Sequence, residues 1–204
     1  MHPYDFLIET YGTERIKTLS VWSHFTDADL GFRPEPRART PLEQMVHQCV
    51  SEDAWMQRML GIDAGLAPLP ATEDRLAFLE HYAAASGRRL ELLAAQGAEW
   101  FAGETGFFDV PRSRAWVLTR RIAHSAHHRG QLTAYLRMLG RDLYSTYGPT
   151  ADTGGLFQQG APVIYRHQSV ESLLEAERGG EAALPPLPGP GGAPPTERPG
   201  VAAR

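Results

Sequence analysis

Residues 121–140 read RIAHSAHHRGQLTAYLRMLG. Apolar positions recur at three- and four-residue intervals up to Gly140, the residue type favoured just past a helix C-terminus. The stretch therefore predicts the end of a long amphipathic helix that Ser113 can cap at its start. Three of the eight histidines in the chain fall at positions 124, 127 and 128. With His124 set at zero and about 100° per residue, His128 falls near 40° and His127 near 300°. The apolar stripe of Val117, Leu118, Leu132, Tyr135, Leu136 and Leu139 centres at about 70–80° on the same wheel. His124 and His128 flank that stripe, and His127 points away. Two histidines at i and i+4 project from one face a turn apart, close enough for both rings to meet one cation.

The other elements follow from the same periodicity. Residues 3–27 carry Tyr4, Leu7, Ile8, Tyr11, Ile16, Leu19, Trp22 and Phe25 at near-helical spacing, behind a first-turn Pro3. TPLE at 40–43 predicts a capping box with Thr40 as N-cap, Pro41 at N1 and Glu43 reaching back, opening a second helix to about Leu60. Thr72, followed by Glu73 and Asp74, predicts the cap of a third helix running to about Gln96. Residues 97–112 read as a connection with a short extended piece at 107–110. Four long helices imply an all-α fold, an antiparallel four-helix bundle.

After the fourth helix, residues 141–168 form a long aromatic, glycine-containing stretch expected to pack across one end of the bundle, and Ser169–Arg178 a short helix. From Gly179 to Arg204, thirteen of 26 residues are Gly or Pro. The expected organisation is thus a domain at 1–178 and a disordered tail at 179–204.

A chain of 204 residues with 42% apolar and 22% charged side chains has an ordinary globular composition. A formal charge of -4 offers no basic face for nucleic acid beyond the short group Arg112, Arg114, Arg120 and Arg121. MHPYDFLIET lacks a cationic segment followed by an apolar run, and no stretch nears the roughly 20 apolar residues a membrane span needs. The expectation is a cytoplasmic protein, which the single cysteine, Cys49, fits.

A third ligand for the His124–His128 pair must come from another helix, and His47 is the one histidine inside the second. Its face lies off the Met45, Val46, Cys49, Met56 stripe, so periodicity alone leaves it a candidate. An isolated helical histidine is by default a hydrogen-bonded edge residue, the expectation for His24, His81 and His167. Position 125 is Ser, so the glutamate of the zincin peptidases is missing. Cys49 points about 160° from His47 on a helical wheel and reads as apolar filler. Glu52 and Asp53 are either outer carboxylates of a site or a solvated helix face. Tyr135, Arg129 and Arg137 either orient a substrate or are core and surface. The four tryptophans read as core.

MVHQCVSEDAWM on the second helix, followed by HSAHHRGQLTAYLRMLG on the fourth, resembles the DinB/YfiT-like superfamily of bacterial four-helix-bundle metalloproteins over roughly residues 3–165. The specific part is His-x-x-x-His-Arg-Gly-Gln-Leu followed by Tyr-Leu-Arg and a glycine. The resemblance implies a divalent metal on His47, His124 and His128, zinc or nickel first and manganese or iron next. It also implies a long crossover between helices two and three, and a homodimer.

Three neutral imidazoles leave an ion its double charge and an open position, the pattern of a catalytic site. Bound water of pKa about 7 would make a hydrolase. A thiol at the open position would be deprotonated at neutral pH. The resemblance favours the thiol chemistry, because the superfamily includes low-molecular-weight-thiol transferases and a thiol-dependent isomerase. The expected function is a metal-dependent thiol S-transferase acting on a small molecule. The alternatives are a metal-dependent hydrolase and a non-catalytic metal-binding or stress-response bundle.

Overall fold

The computed structural model describes residues 2–179, 183–192 and 196. The chain is mostly helical, with one two-stranded sheet, and divides into two compact units, one ending at Leu132 and one beginning at Thr133.

In the first unit, helix α1 spans Asp5–Trp22 and buries Leu7, Tyr11, Leu19 and Trp22. Glu14 and Thr18 lie buried on the same helix, so the apolar stripe is interrupted by polar groups with partners inside the protein. Arg129 supplies them: its guanidinium donates to the Glu14 carboxylate and to Thr18 Oγ1 at 3.0 Å. α1 ends at Trp22, and a 3₁₀ turn at Asp27–Asp29 follows, with Asp29 accepting from the Thr26 amide at 2.8 Å.

Helix α2 spans Pro41–Arg58 and starts as its capping box dictates. Glu43 N–H donates to Thr40 Oγ1 at 3.2 Å, and Thr40 N–H to Glu43 Oε2 at 2.8 Å. Helix α3 spans Arg75–Ala94, and its cap is Asp74 rather than the expected Thr72. The Asp74 carboxylate accepts from Ala77 N–H at 2.9 Å, while the Thr72 hydroxyl bonds that carboxylate instead of the helix. α3 packs against α1 and α2. Arg15 ties α1 to α3 through Ser86 Oγ at 2.9 Å and the Ala83 carbonyl at 2.7 Å.

The connection after α3 is more structured than its composition suggests. A short helix α4 at Ala98–Ala102 leads into an antiparallel hairpin of β1, Glu104–Phe107, and β2, Val110–Ser113. The expected extended piece at 107–110 is in fact the turn: Phe107 pairs with Val110, and Phe108 sits at φ +51°. Thr105 Oγ1 donates to the Met59 carbonyl at 2.5 Å, fastening the hairpin just beyond the end of α2. Helix α5, Arg114–Met138, follows at once, with Ser113 Oγ accepting from Trp116 N–H at 3.2 Å. One core joins Leu7 and Tyr11 of α1, Met56 of α2, Leu93 of α3, Phe101 of α4, and Val117 and Leu118 of α5. Burying each such side chain is worth about 1.5–3 kcal/mol.

A second buried meeting point is ionic. Glu52, 1% exposed, accepts from Tyr11 Oη at 2.6 Å and Tyr82 Oη at 3.0 Å. Arg89 and Arg121 balance its charge at 3.5 and 3.7 Å. Arg89 also pairs with Asp53 at 3.0 Å, and Arg121 donates to Ser51 and Ser125 at 2.9 and 3.0 Å.

In the second unit α5 ends before Gly140, whose φ of +71° makes the left-handed stop. Asp152 organises the segment that follows, accepting from Leu143 N–H at 2.7 Å and pairing with Arg137 at 2.6 Å. Ser145 and Ile164 are joined by bonds of 2.8 and 3.0 Å. Helix α6, Val170–Glu177, is capped by Ser169. Part of the expected disordered tail lies outside the described residues. Of the rest, Gly189 N–H donates to the Asp152 carbonyl at 3.0 Å, and Tyr144 Oη to that of Pro185 at 3.0 Å.

Candidate metal centre

α5 carries His124 and His128 one turn apart, and α2 brings His47 to them. One ligand atom from each ring lies within 4.8 Å of the other two. The ring centroids are 4.5 Å apart for His124–His128, 4.6 Å for His47–His128 and 5.4 Å for His47–His124. His128 is buried, and the other two are half-buried. His127 is exposed and stays outside the group, as the wheel predicts, with its ring edge-on to His128 at 5.1 Å.

All three imidazoles are held neutral. Burial first, then the Arg121 charge and the neighbouring rings, lower His124 to about 3. Burial lowers His128 to about 4 against a bond to Gln131 that works the other way. His47 is lowered by burial and by the cations of Arg39 and Arg121.

Two glutamines fix the geometry of His128: Gln131, which stands in the family motif with no role read for it, and Gln44, which the sequence gave no reason to single out. Gln44 Nε2 donates to Gln131 Oε1 at 3.0 Å, so that oxygen is an acceptor, and His128 Nδ1 stands 2.9 Å from it. Nδ1 therefore carries the ring proton, and Nε2 is left bare, facing His124 Nε2 at 3.3 Å. The only local signal for this was the His-x-x-Gln spacing, which places residue i+3 beside residue i on a helix. On the other side, the Trp55 ring lies against His124 at 5.5 Å, with the Arg121 guanidinium 5.6 Å from the Trp55 ring centre.

This donor set fits a divalent ion. Two nitrogens each about 2.0–2.1 Å from a tetrahedral ion lie about 3.3–3.4 Å apart, which matches the His124–His128 pair at 3.3 Å. His124 Nδ1 is buried and has no hydrogen-bond partner among the described residues. Among the described residues no cysteine, aspartate or glutamate joins the group.

The remaining candidates have other roles. Glu52 and Asp53 are committed to the tyrosines and arginines described above. Cys49 is buried, and its thiol is pushed well up by that burial. Arg129 is buried against Glu14, and Arg137 pairs with Asp152. Tyr135 is buried. Of the tryptophans, Trp22 is core, whereas Trp116 is 40% exposed.

Residues 6–158 match the DinB family. The chain belongs to the DinB family. Solved structures agree on the fold. A DinB-like protein from Bacillus cereus superposes with a TM-score of 0.60 at 20% identity, over 69% of this chain and 95% of that one. A DinB-like protein from Bacillus subtilis superposes with a TM-score of 0.53 at 14% identity, over 67% and 94%. No protein of curated function matches. In this DinB-family chain the His47, His124, His128 cluster could hold a metal, and no helix among the described residues is long and apolar enough to cross a membrane.

Proposed function

We propose that the protein binds one divalent transition-metal ion, zinc or nickel, through His47, His124 and His128, and transfers a low-molecular-weight thiol onto a small electrophile. The observation that carries this is a cluster of three neutral imidazoles with no fourth protein ligand among the described residues. Such a set keeps the full charge of an ion and an open position. When bound, the ion would supply the positive charge that favours the thiolate form of a sulfur ligand.

The chain's own groups support a thiol partner over water. A thiol asks less of the site than water does, because it ionises at about 8.5 when free and an ion's charge alone suffices to hold it as thiolate. Among the described residues no carboxylate joins the cluster, and the nearby Glu52 is engaged by two tyrosines and two arginines. Cys49, buried and high in pKa, supplies no nucleophile of its own, so the sulfur must come from a second small molecule. Gln131 and Gln44 hold the His128 ring in its metal-ready tautomer, and Trp55 backs the His124 ring. In this proposal α1, α2, α3 and α5 form the antiparallel four-helix bundle with a crossover through residues 59–74, working as a cytoplasmic homodimer.

The test is elemental analysis of untagged protein beside His124→Ala, followed by a thiol-consumption screen. One metal per chain, lost in the variant, together with metal-dependent transfer of a thiol, is the expected result. No metal bound, and none taken up from zinc, nickel or manganese, would overturn the site. A loaded site without thiol transfer would overturn the activity alone.

A further inference from the structure

Aromatic side chains of α2, the hairpin and α5 form a continuous series of ring contacts that begins on His124. Trp55 lies against His124 at 5.5 Å, and Phe107 stands edge-on to Trp55 at 5.3 Å. Phe107 in turn meets Phe108 and Trp116, each at 4.9 Å, and Phe108 also faces Trp55 at 6.4 Å. The inner members are half-buried, while Phe108 is 71% and Trp116 40% exposed. A ring surface thus runs from a candidate metal ligand out to solvent.

Phe108 is the telling residue. Its φ of +51° lies in the left-handed region, where glycine is at home and a bulky side chain is strained. Burial does not offset that strain, because most of the ring stays in water. Strained backbone that gains nothing for the core is typical of functional surfaces. The two-residue turn between β1 and β2 calls for that φ, and phenylalanine in the place of glycine or asparagine adds an exposed ring to the wall begun by Trp55.

We infer that this wall binds an aromatic or flat apolar group of the substrate whose reacting end lies at the three histidines. The substrate class is an electrophile bearing such a group, as opposed to a small aliphatic one. The inference rests on the proposed function to the extent that it needs a bound ion with an open position. Rings stack offset or edge-on, and one such contact is worth about two- to tenfold in affinity.

The test titrates zinc-loaded, full-length protein with benzohydroxamate and acetohydroxamate by calorimetry. The two share one metal-binding head group and differ by phenyl against methyl. Wild type is expected to prefer benzohydroxamate by about tenfold or more. Phe108→Gly and Trp116→Ala should cut that preference to about two- or threefold, with acetohydroxamate binding unchanged. Phe108→Gly suits the turn's positive φ, and unchanged zinc uptake and acetohydroxamate binding show that the variant is folded. Phe6→Ala, which removes another exposed ring, should keep the full preference. Equal preference in wild type and both wall variants overturns the inference while leaving the metal site standing. Failure to load zinc, or a loaded protein that binds neither hydroxamate, overturns the open metal site and this inference with it.

Discussion

Replacing Gln131 by leucine tests whether a hydrogen bond outside the histidine cluster sets its affinity for metal. Gln131 Oε1 accepts from His128 Nδ1 at 2.9 Å and from Gln44 Nε2 at 3.0 Å. Leucine keeps the bulk and the helix propensity but accepts nothing. Gln44 is 2% exposed and its own Oε1 already has no partner, so the variant leaves that amide unpaired at both ends. Leaving such a donor unsatisfied costs about 1–3 kcal/mol of folding stability. His128 meanwhile loses the acceptor that keeps its proton on Nδ1, and the ring divides between two tautomers and two orientations. Loss of such a partner lowers metal affinity about 10–100-fold, or about 1.4–2.7 kcal/mol. Gln131→Glu keeps an acceptor and adds charge, and should hold metal at least as well as the parent. Zinc titration against a competing chelator reads the affinity, and a urea midpoint of the apo protein reads the stability. A leucine variant that binds zinc within about twofold of the parent, or a glutamate variant that loses as much as leucine, would refute the reasoning.

Glu52→Gln should destabilise the protein by about 3–5 kcal/mol in urea unfolding, because it removes the buried counter-charge from Arg121 and part of that from Arg89. A change below about 1 kcal/mol would mean that the arginines find other partners. Cys49, buried and with its thiol raised, should resist iodoacetamide at pH 8 in the native state and react once unfolded, while Cys49→Ala keeps its metal content. The depressed histidines make apo stability depend on pH. His124 near 3 and His128 near 4 stay neutral when folded, while their unfolded forms protonate near 6.5, so stability is full above that pH and falls as pH drops toward 4 and 3. Urea midpoints between pH 7.5 and 4.5 should therefore fall less in His124→Leu than in the parent, and equal slopes would contradict the assignment.

How much of this was legible in the sequence depended on the range of the interactions involved. The Thr40–Glu43 box is complete within four residues, so the start of α2 could be read directly. Thr72 and Asp74 are both good caps, and a hydroxyl-to-carboxylate bond between them decides which one serves α3. The hairpin escaped notice because its turn uses phenylalanine where local chemistry would call for glycine or asparagine. Glu14 and Thr18 broke the expected stripe of α1 because their partner, Arg129, lies more than 100 residues away. The His124–His128 pair was visible as an i, i+4 spacing, whereas His47 was a candidate only as the one histidine of α2, and the family resemblance, not its helical face, made it a ligand. The Gln44–Gln131 bond leaves no trace in either helix read alone.

The convergence on Glu52 also constrains how such a chain can diverge over evolutionary time. Tyr11, Tyr82, Arg89 and Arg121 reach this one carboxylate from three other helices, so a neutral residue at 52 strands the Arg121 cation in the interior, while Arg89 keeps Asp53. Drift at this site must therefore pass through paired exchanges, and homologues lacking the acid should also lack the arginine at 121. Because the Arg121 charge helps to keep His124 deprotonated, such a paired exchange would restore basicity to that imidazole. Lineages that abandon the ion cluster would then inherit a differently tuned metal centre.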